Sequence, residues 1–301
     1  MQKVSRVAAA LAGALIISAC TGGTTQSPSA ESASPSGASG SPGASVDPSD
    51  LLAQIQSAGQ IRVGTDPNYA PQSFLKPDGT FEGFDIDVAN EIAKRLGVAA
   101  TFETPDFAVV EAGGWAGRFD ISVGSVTITE ARMGVLDFTE PYYFTPAQMS
   151  AVTDSGITTL EDLAGKTICV AEGTTYFQWL QGTLTLGDGS STAPVPAGAM
   201  ATTLKTDQDC AQSAQSGRRD FEGFLTSSTT LAEAISNGAP LTPIGDPVFY
   251  EPIAVATDKE GAQHAALQAE LDRIVTEMHA DGTLTQLSQK WYDGEDLTKK
   301  T

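Results

Sequence analysis

The chain has 301 residues and carries 17 Lys and Arg against 37 Asp and Glu, a formal net charge of −20 at pH 7. No basic stripe exists to neutralise phosphates, which excludes nucleic acid as a partner; the acidity suits a protein kept soluble by its own charge.

Lys3 and Arg6 precede an apolar stretch, Val7 to Ile17, too short to cross a bilayer, that ends in Ile17-Ser18-Ala19-Cys20. A basic start, a short apolar core and small residues before a cut site describe an export signal, so residues 1–19 are set aside from the fold. Their loss removes Lys3 and Arg6 and no acid, taking the charge from −20 to −22. The pattern resembles a bacterial lipobox, whose cysteine is lipidated and becomes the first mature residue; carried over, that role falls on Cys20. Residues 20–50 continue as a Ser/Gly/Pro-rich tether with too little apolar surface to offset its ordering entropy. As flexible coil, residues 21–49 reach on the order of 30 Å. Acyl chains, worth about 0.8 kcal/mol per buried methylene, would hold the protein on the extracellular face of the cytoplasmic membrane with no transmembrane helix.

About 250 residues follow, enough for two modest cores or one large one. Ile61 to Thr65 reads as a first strand feeding the polar turn Asp66-Pro67-Asn68-Tyr69-Ala70-Pro71. Asp78-Gly79 is a hairpin signal, with Phe81 to Phe84 returning as a strand. A helix follows: Val88, Ile92 and Leu96 recur every four residues, Glu91 and Arg95 pair on the outer face, and Gly97 stands at the stop. Ala100 to Thr104 is the next strand.

Residues 119–143, FDISVGSVTITEARMGVLDFTEPYY, then place Phe119, Ile121 and Val123 on one face of a short strand. That strand delivers Gly124, Ser125 and Thr127 to a sheet end, beside a helix start carrying Arg132. Free backbone N–H groups, hydroxyls and a forked guanidinium form a seat for a carboxylate. The plainer reading is a T-x-x-E capping box, Thr127 with Glu130, and a solvated Arg132.

A second run starts at Met149 to Val152. Leu160 to Ala164 reads as a short helix and Thr167 to Ala171 as a strand. Gly173-Thr174-Thr175 is a turn opening a helix through Tyr176 and Leu180. It repeats the chemistry of Ser125-Val126-Thr127, and two such turns facing each other would clamp one polar ligand; the plainer reading is an N-cap. Residues 184–200 look like a surface loop. Asp220 to Thr226 and Pro252 to Thr257 read as strands. From Gln263 the stripe Leu267, Leu271, Ile274, Met278 marks a helix ending at Gly282, and Leu284 to Trp291 a last one. His264 and His279 are expected in solvent.

With Cys20 assigned to lipid, Cys169 and Cys210 remain as an even pair in an oxidising compartment. They either bridge, which the chain-entropy model values at about 4 kcal/mol, or stay as buried thiols. They lack a CxxC and lie far from both histidines, so no zinc site is expected. No Gly-rich Lys-Ser/Thr loop is present to bind nucleotide, and no cofactor is expected. Strands alternating with helices predict an α/β fold.

In order, IRVGTDPNYAP, GFDIDVANEIAKRLG, FDISVGSVTITEAR with LDFTEPYY, LEDLAGKTICVAEGTT and ADGTLTQLSQKWYDG give residues 51–293 a resemblance to the family 3 extracellular solute-binding proteins, receptors of polar amino-acid ABC importers. The cysteine pair further resembles the glutamate and acidic-amino-acid branch, where one cysteine lies on the strand before the GTT turn and its mate lies ahead of a later strand. The resemblance implies a two-lobed, periplasmic-binding-protein-like (type II) fold with a ligand cleft between lobes. Lobe one would span 51–145 and return over 252–301, lobe two would span 146–251, and the crossings would lie near Phe144 to Gln148 and Tyr250 to Ile253. It also implies that Arg132 clamps a ligand carboxylate with help from Ser125, Thr127, Thr174 and Thr175, that Tyr69 and Phe107 form aromatic walls, and that Asp66 lies near a cationic amine. Asp85 and Asp87 are assigned to structure, Asp87 as a helix cap. The family pattern ends its lobe-two strand with an aspartate for the ligand ammonium. Counting from Asp220, this chain has Leu225 and Thr226 there, leaving Asp66 or Glu222 as substitute, with Glu222 sharing a strand face with Thr226, or a ligand with no such amine.

The implied role is capture by lobe closure and delivery to the transmembrane permease subunits by a monomeric, lipid-anchored receptor. Two other roles fit the scaffold: a dehydratase-like enzyme, for which no nucleophile with a partnered histidine is found, and a sensory module serving a separate receptor. The expectation is a binding protein, not an enzyme.

Overall fold

The computed structural model describes residues 49–218 and 220–300. The export signal, Cys20 and nearly all of the tether fall outside the described residues.

The first half holds α1 (Leu51–Ala58), β1 (Gln60–Gly64), the small strands β2 (Asn68–Tyr69), β3 (Ser73–Leu75) and β4 (Phe81–Glu82), α2 (Phe84–Leu96), β5 (Ala99–Glu103), α3 (Phe107–Ala112), β6 (Ile121–Thr127), α4 (Glu130–Met133), β7 (Leu136–Phe138) and β8 (Tyr143–Val152). The second holds β9 (Thr167–Ala171), α5 (Thr175–Leu180), β10 (Met200–Leu204), α6 (Asp207–Gln215), β11 (Gly223–Ser227), α7 (Ser228–Ser236), β12 (Leu241–Pro243), β13 (Phe249–Asp258), α8 (Ala265–Ala280) and α9 (Thr283–Trp291).

The main sheet runs β10-β9-β11-β8-β13-β6-β1-β5. At its two ends β1 pairs in parallel with β5 and β6, and β9 with β10 and β11. Between these two ends lie β8 and β13. β13 pairs with β8 through Phe249 to Ile253 and with β6 from Ile253 onward, while β8 pairs with β11 from Ala147 to Ala151. These antiparallel strands are the passages between two lobes, and the stretches expected as crossings lie within them.

Each lobe has its own core. In the first, Ile61, Val63, Ile121 and Val123 pack on Val88 and Ile92 of α2 and on Leu271, Ile274 and Met278 of α8. Side chains buried this fully stabilise by about 2 kcal/mol each. In the second, Met149, Ile168, Val170 and Leu225 pack on Tyr176 and Trp179. Its other face joins Phe224 and Leu231 to the Cys169–Cys210 disulfide, Cα–Cα 6.0 Å, which ties β9 to α6. The thiols are bridged.

Three local expectations are corrected. Asp87 does not cap α2, which starts at Gly83 without a side-chain cap. Gly83 has φ 132°, and a Cβ there would lie 2.2 Å from the Gln72 carbonyl oxygen. The helix therefore begins ahead of Asp87, whose carboxylate instead accepts from Lys290 Nζ and Trp291 Nε1, both at 2.6 Å. The histidines are not free in solvent: His264 Nε2 lies 2.8 Å from Asp137, and His279 Nε2 lies 2.9 Å from the Pro141 carbonyl. The strand expected from Asp220 begins at Gly223. Among the elements the sequence reading lacked are β10, α6 and α7; α6, DQDCAQSAQ, offers too weak an apolar stripe to be read.

Candidate functional site

β6 runs into α4, whose cap is Thr129: its hydroxyl accepts from Arg132 N at 3.2 Å. The Thr127–Glu130 capping box is therefore not formed, and Arg132, 3% exposed, is not a solvated charge. Its Nη1 donates to the Thr127 carbonyl at 3.1 Å, and Nη2 donates to Glu111 Oε2 at 3.2 Å and to the Gly173 carbonyl at 3.0 Å. Cζ sits 5.0 Å from the Phe107 ring centroid. Nε is buried and has no partner among the described residues. Burial works against this guanidinium's charge, and Glu111 works for it. Gly173 belongs to the second lobe, so Arg132 bridges the two. At φ +73° Gly173 lies in the left-handed region that favours glycine, and a Cβ there, 2.5 Å from Glu111 Oε1, would push the Glu111 side chain aside.

The hydroxyls expected around a ligand converge on Glu251, a residue of β13. Thr127 Oγ1 donates to Glu251 Oε1 at 2.7 Å, Thr175 Oγ1 donates to the same oxygen, and Tyr176 Oη donates to Oε2 at 2.7 Å. Burial raises the Glu251 pKa, and the three hydroxyls and Arg132 oppose that rise. Ser125, at φ 55°, turns its hydroxyl to Asp85 Oδ2 (2.8 Å) and Tyr143 Oη (2.7 Å). Thr174 caps α5: its hydroxyl accepts from Phe177 N at 3.3 Å and donates to the Ala171 carbonyl at 2.8 Å.

The other end of the cleft is acidic. Asp66 leaves β1 in the polar turn, where its Oδ1 accepts from Asn68 N at 2.7 Å. Asp207, the first residue of α6, is 5% exposed, and its Oδ1 is buried with no partner among the described residues. Burial pushes its carboxyl up to about 7; Thr226 pulls it down, and the charges of Asp66 and Glu251 raise it further. Tyr69, also buried, joins its hydroxyl to that of Tyr176 at 3.2 Å, one lobe to the other. Lys205, the cation at this end, is engaged by Asp106 at 2.7 Å.

Most of these groups line one shared cavity, and a concave site with a few placed polar groups is where small solutes bind. Of the residues singled out from sequence, Asp66, Tyr69, Phe107, Ser125, Thr127, Arg132, Thr174 and Thr175 line it. Glu222 and Thr226 do not. Glu222 precedes β11 and its Oε2 accepts from Thr167 N at 3.0 Å, which corrects the reading of Glu222 as the substitute anion. Thr226 is fully buried, its hydroxyl without a well-directed partner among the described residues. The sequence reading missed Glu111, Tyr176, Asp207 and Glu251. For Glu251 a signal existed, a carboxylate on the inward parity of an apolar strand; for Asp207, a residue of the polar run TDQDC, none did.

Two lobes, two crossing strands and a polar cleft between them define a receptor for a small solute. Residues 61–294 match the model of the bacterial extracellular solute-binding proteins, family 3, and the chain belongs to that family. It is 30% identical over 252 residues to the L-cystine-binding protein TcyJ of Escherichia coli strain K12, covering 83% of this chain and 88% of that one. It is also 30% identical over 244 residues to the histidine-binding periplasmic protein of the same strain, covering 77% and 87%. Among solved structures, an ancestral arginine-binding protein bound to arginine superposes with TM-score 0.66 at 29% identity, covering 78% of this chain and 98% of that one. The ancestral amino acid-binding protein AncCDT-1, a precursor of cyclohexadienyl dehydratase, gives 0.68 at 28%, covering 80% and 99%. The relatives are binding proteins, and the chain is a binding protein of amino-acid ABC transport rather than an enzyme. No described helix is long and apolar enough to cross a membrane.

Proposed function

We propose that this chain captures an amino acid by lobe closure and delivers it to an ABC permease, acting as a monomer held at the extracellular face of the membrane by lipid on Cys20. The lobes divide as 51–145 with 252–301, and 146–251. The observation that carries the reading is Arg132, a buried guanidinium in the interlobe cavity with Nε unpartnered among the described residues. A ligand α-carboxylate supplies the missing acceptor. Contacts from Gly173 and Thr175 are made only when the second lobe is against the first, so a ligand that uses both favours the closed form by its differential affinity.

The ligand carries an amine as well. The relatives named for L-cystine and histidine take solutes with an α-carboxylate and an α-ammonium. Here the cavity is lined by Asp66, Glu172, Asp207 and Glu251 against Arg132 and Lys205. That balance disfavours the acidic amino acids suggested by the cysteine pair and favours neutral or basic ones. Ser125, Thr127, Thr174 and Thr175 shape the carboxylate end, and Tyr69 and Phe107 flank the solute.

A thermal-shift screen of the mature protein against L-amino acids tests the reading. A ligand at 100 times its Kd stabilises by about 2.7 kcal/mol. No shift with any amino acid, or an equal shift in Arg132→Ala, overturns it. Incorporation of an alkyne fatty acid that disappears in Cys20→Ala tests the anchor.

A further inference from the structure

We infer that Asp207, at the head of α6, is the residue that binds the ligand's ammonium group. The inference rests on the amino-acid reading above and adds to it which anion receives the amine.

Three observations meet at Asp207. Its carboxylate is 5% exposed, lines the cavity, and keeps Oδ1 without a partner among the described residues. A buried carboxylate oxygen left unbonded is costly, and a cation arriving in the cavity removes that cost. Both cavity-lining cations already face other carboxylates, Arg132 with Glu111 and Lys205 with Asp106. Asp207 therefore waits for a positive group from outside the protein.

The end of β11 is occupied by a different contact. Gln72 of the first lobe, fully buried, donates from Nε2 to Ser227 Oγ at 3.2 Å and to Thr229 Oγ1, and its Oε1 accepts from Thr230 Oγ1 at 3.2 Å. This amide fills the head of α7 and leaves the strand end with no charge to offer. α6 lies against β2, which carries Tyr69, so closure brings Asp207 to the side of the cavity that holds Asp66. Asp66 and Glu251 are near enough that their charges raise the Asp207 carboxyl, and an ammonium at that point would offset this crowding.

The test removes the amine from the ligand and the carboxylate from the protein. The twenty L-amino acids and L-cystine are screened by calorimetry on the mature protein. Each binder is then compared with the same acid lacking its amine, imidazole-4-propionate for L-histidine or 5-guanidinopentanoate for L-arginine. In wild type, loss of the amine should weaken binding by ~30-fold, in the range of a hydrogen bond to a charged group. In Asp207→Asn the same deletion should cost no more than ~3-fold, because the two changes remove one interaction. Without ligand, the Asp207→Asn variant should melt no lower than wild type, since the substitution removes a buried charge whose Oδ1 has no partner among the described residues. If amine-free acids bind wild type as well as amino acids do, the inference falls and carboxylate capture stands. If Asp207→Asn weakens both ligand forms equally, Asp207 is not the amine's partner. If neither form binds wild type, the functional reading falls with the inference. The amine deletion on wild type decides the first outcome even if the variant does not fold.

Discussion

At one end of the cleft Arg132 directs its guanidinium to Thr127, Glu111 and Gly173 and keeps Nε without a partner among the described residues, Arg132 and Thr127 belonging to one strand-turn-helix unit. At the other end Asp66 and Asp207 arrive from the turn after β1 and from α6, segments far apart in sequence, and Lys205, the cation lining that end among the described residues, is already engaged by Asp106. The positive end is thus organised before the ligand comes, and the negative end is held in mutual repulsion until it does. Arg132→Ala should break the first end outright. We expect at least ~100-fold weaker binding by calorimetry, as for loss of one partner of a buried charge pair. Glu111, partly exposed, can rehydrate, so the apo melting temperature should fall by only a few degrees. Unchanged affinity would remove the distinction between the two ends.

pH separates them next. Burial, opposed by Thr226 and aided by Asp66 and Glu251, pushes Asp207 up to about 7; burial, opposed by Ser125 and Tyr142, does the same to Asp85. An acid whose pKa is higher folded than unfolded makes the folded state bind more protons between the two values, so its contribution to stability falls as pH rises. The apo protein should therefore melt higher at pH 5 than at pH 8, by about 5 °C if a couple of kcal/mol are involved. Asp188, Asp281 and Asp296, lowered to about 2 by their partners, act in the opposite sense but only below about pH 4. Affinity should move the other way. A ligand ammonium needs the ionised Asp207, so Kd should rise toward tenfold per pH unit below 7. Asp207→Asn should flatten that affinity profile while leaving Asp85's share of the melting trend. A flat profile in wild type would mean the acidic end does not titrate against the ligand.

The ends also differ in how far they could be read in advance. Arg132 was legible because the chemistry is local: an alternating strand, small and hydroxyl residues, then a helix start, all between Phe119 and Arg132. The cores were legible for the same reason, Val88, Ile92 and Leu96 fixing the buried face of α2. Asp207 was not, because TDQDC is also a plain helix start, and Thr206 with Asp209 does form a capping box there. What distinguishes Asp207 is its burial beside a cavity that Asp66 and Tyr69, far away in sequence, help to line, which no local pattern encodes. Glu222 misled for the complementary reason. Strand parity placed it with Phe224 and Thr226, but it lies ahead of β11 and bonds to Thr167.

The disulfide offers a milder way to sharpen the contrast. Cys210 stands on α6 one turn from Asp207, and its bond to Cys169 pins that helix to β9. Cys169→Ser should cost about 2–4 kcal/mol, lowering the melting temperature by roughly 10 °C under non-reducing conditions. It should also narrow the preference for amino acids over their amine-free counterparts by a few-fold, while affinity for the amine-free acids stays put. Equal loss for both would show that the pin serves the whole lobe rather than the acidic end.

The smallest effect should come from the hydroxyls shared between the lobes. Glu251 accepts from Thr127 on the first lobe and from Thr175 and Tyr176 on the second, so its carboxylate favours the closed arrangement whatever the ligand. Removing the Thr175 hydroxyl leaves two donors on that carboxylate, and losing one hydrogen bond is worth about 1 kcal/mol. Because both ligand forms keep the carboxylate whose end of the cleft Thr175 helps to close, Thr175→Ala should weaken amino acids and amine-free acids alike, by ~5-fold. Thr175→Ser, which keeps the hydroxyl, should restore both. An effect confined to one ligand class would instead put Thr175 in direct contact with that end of the ligand.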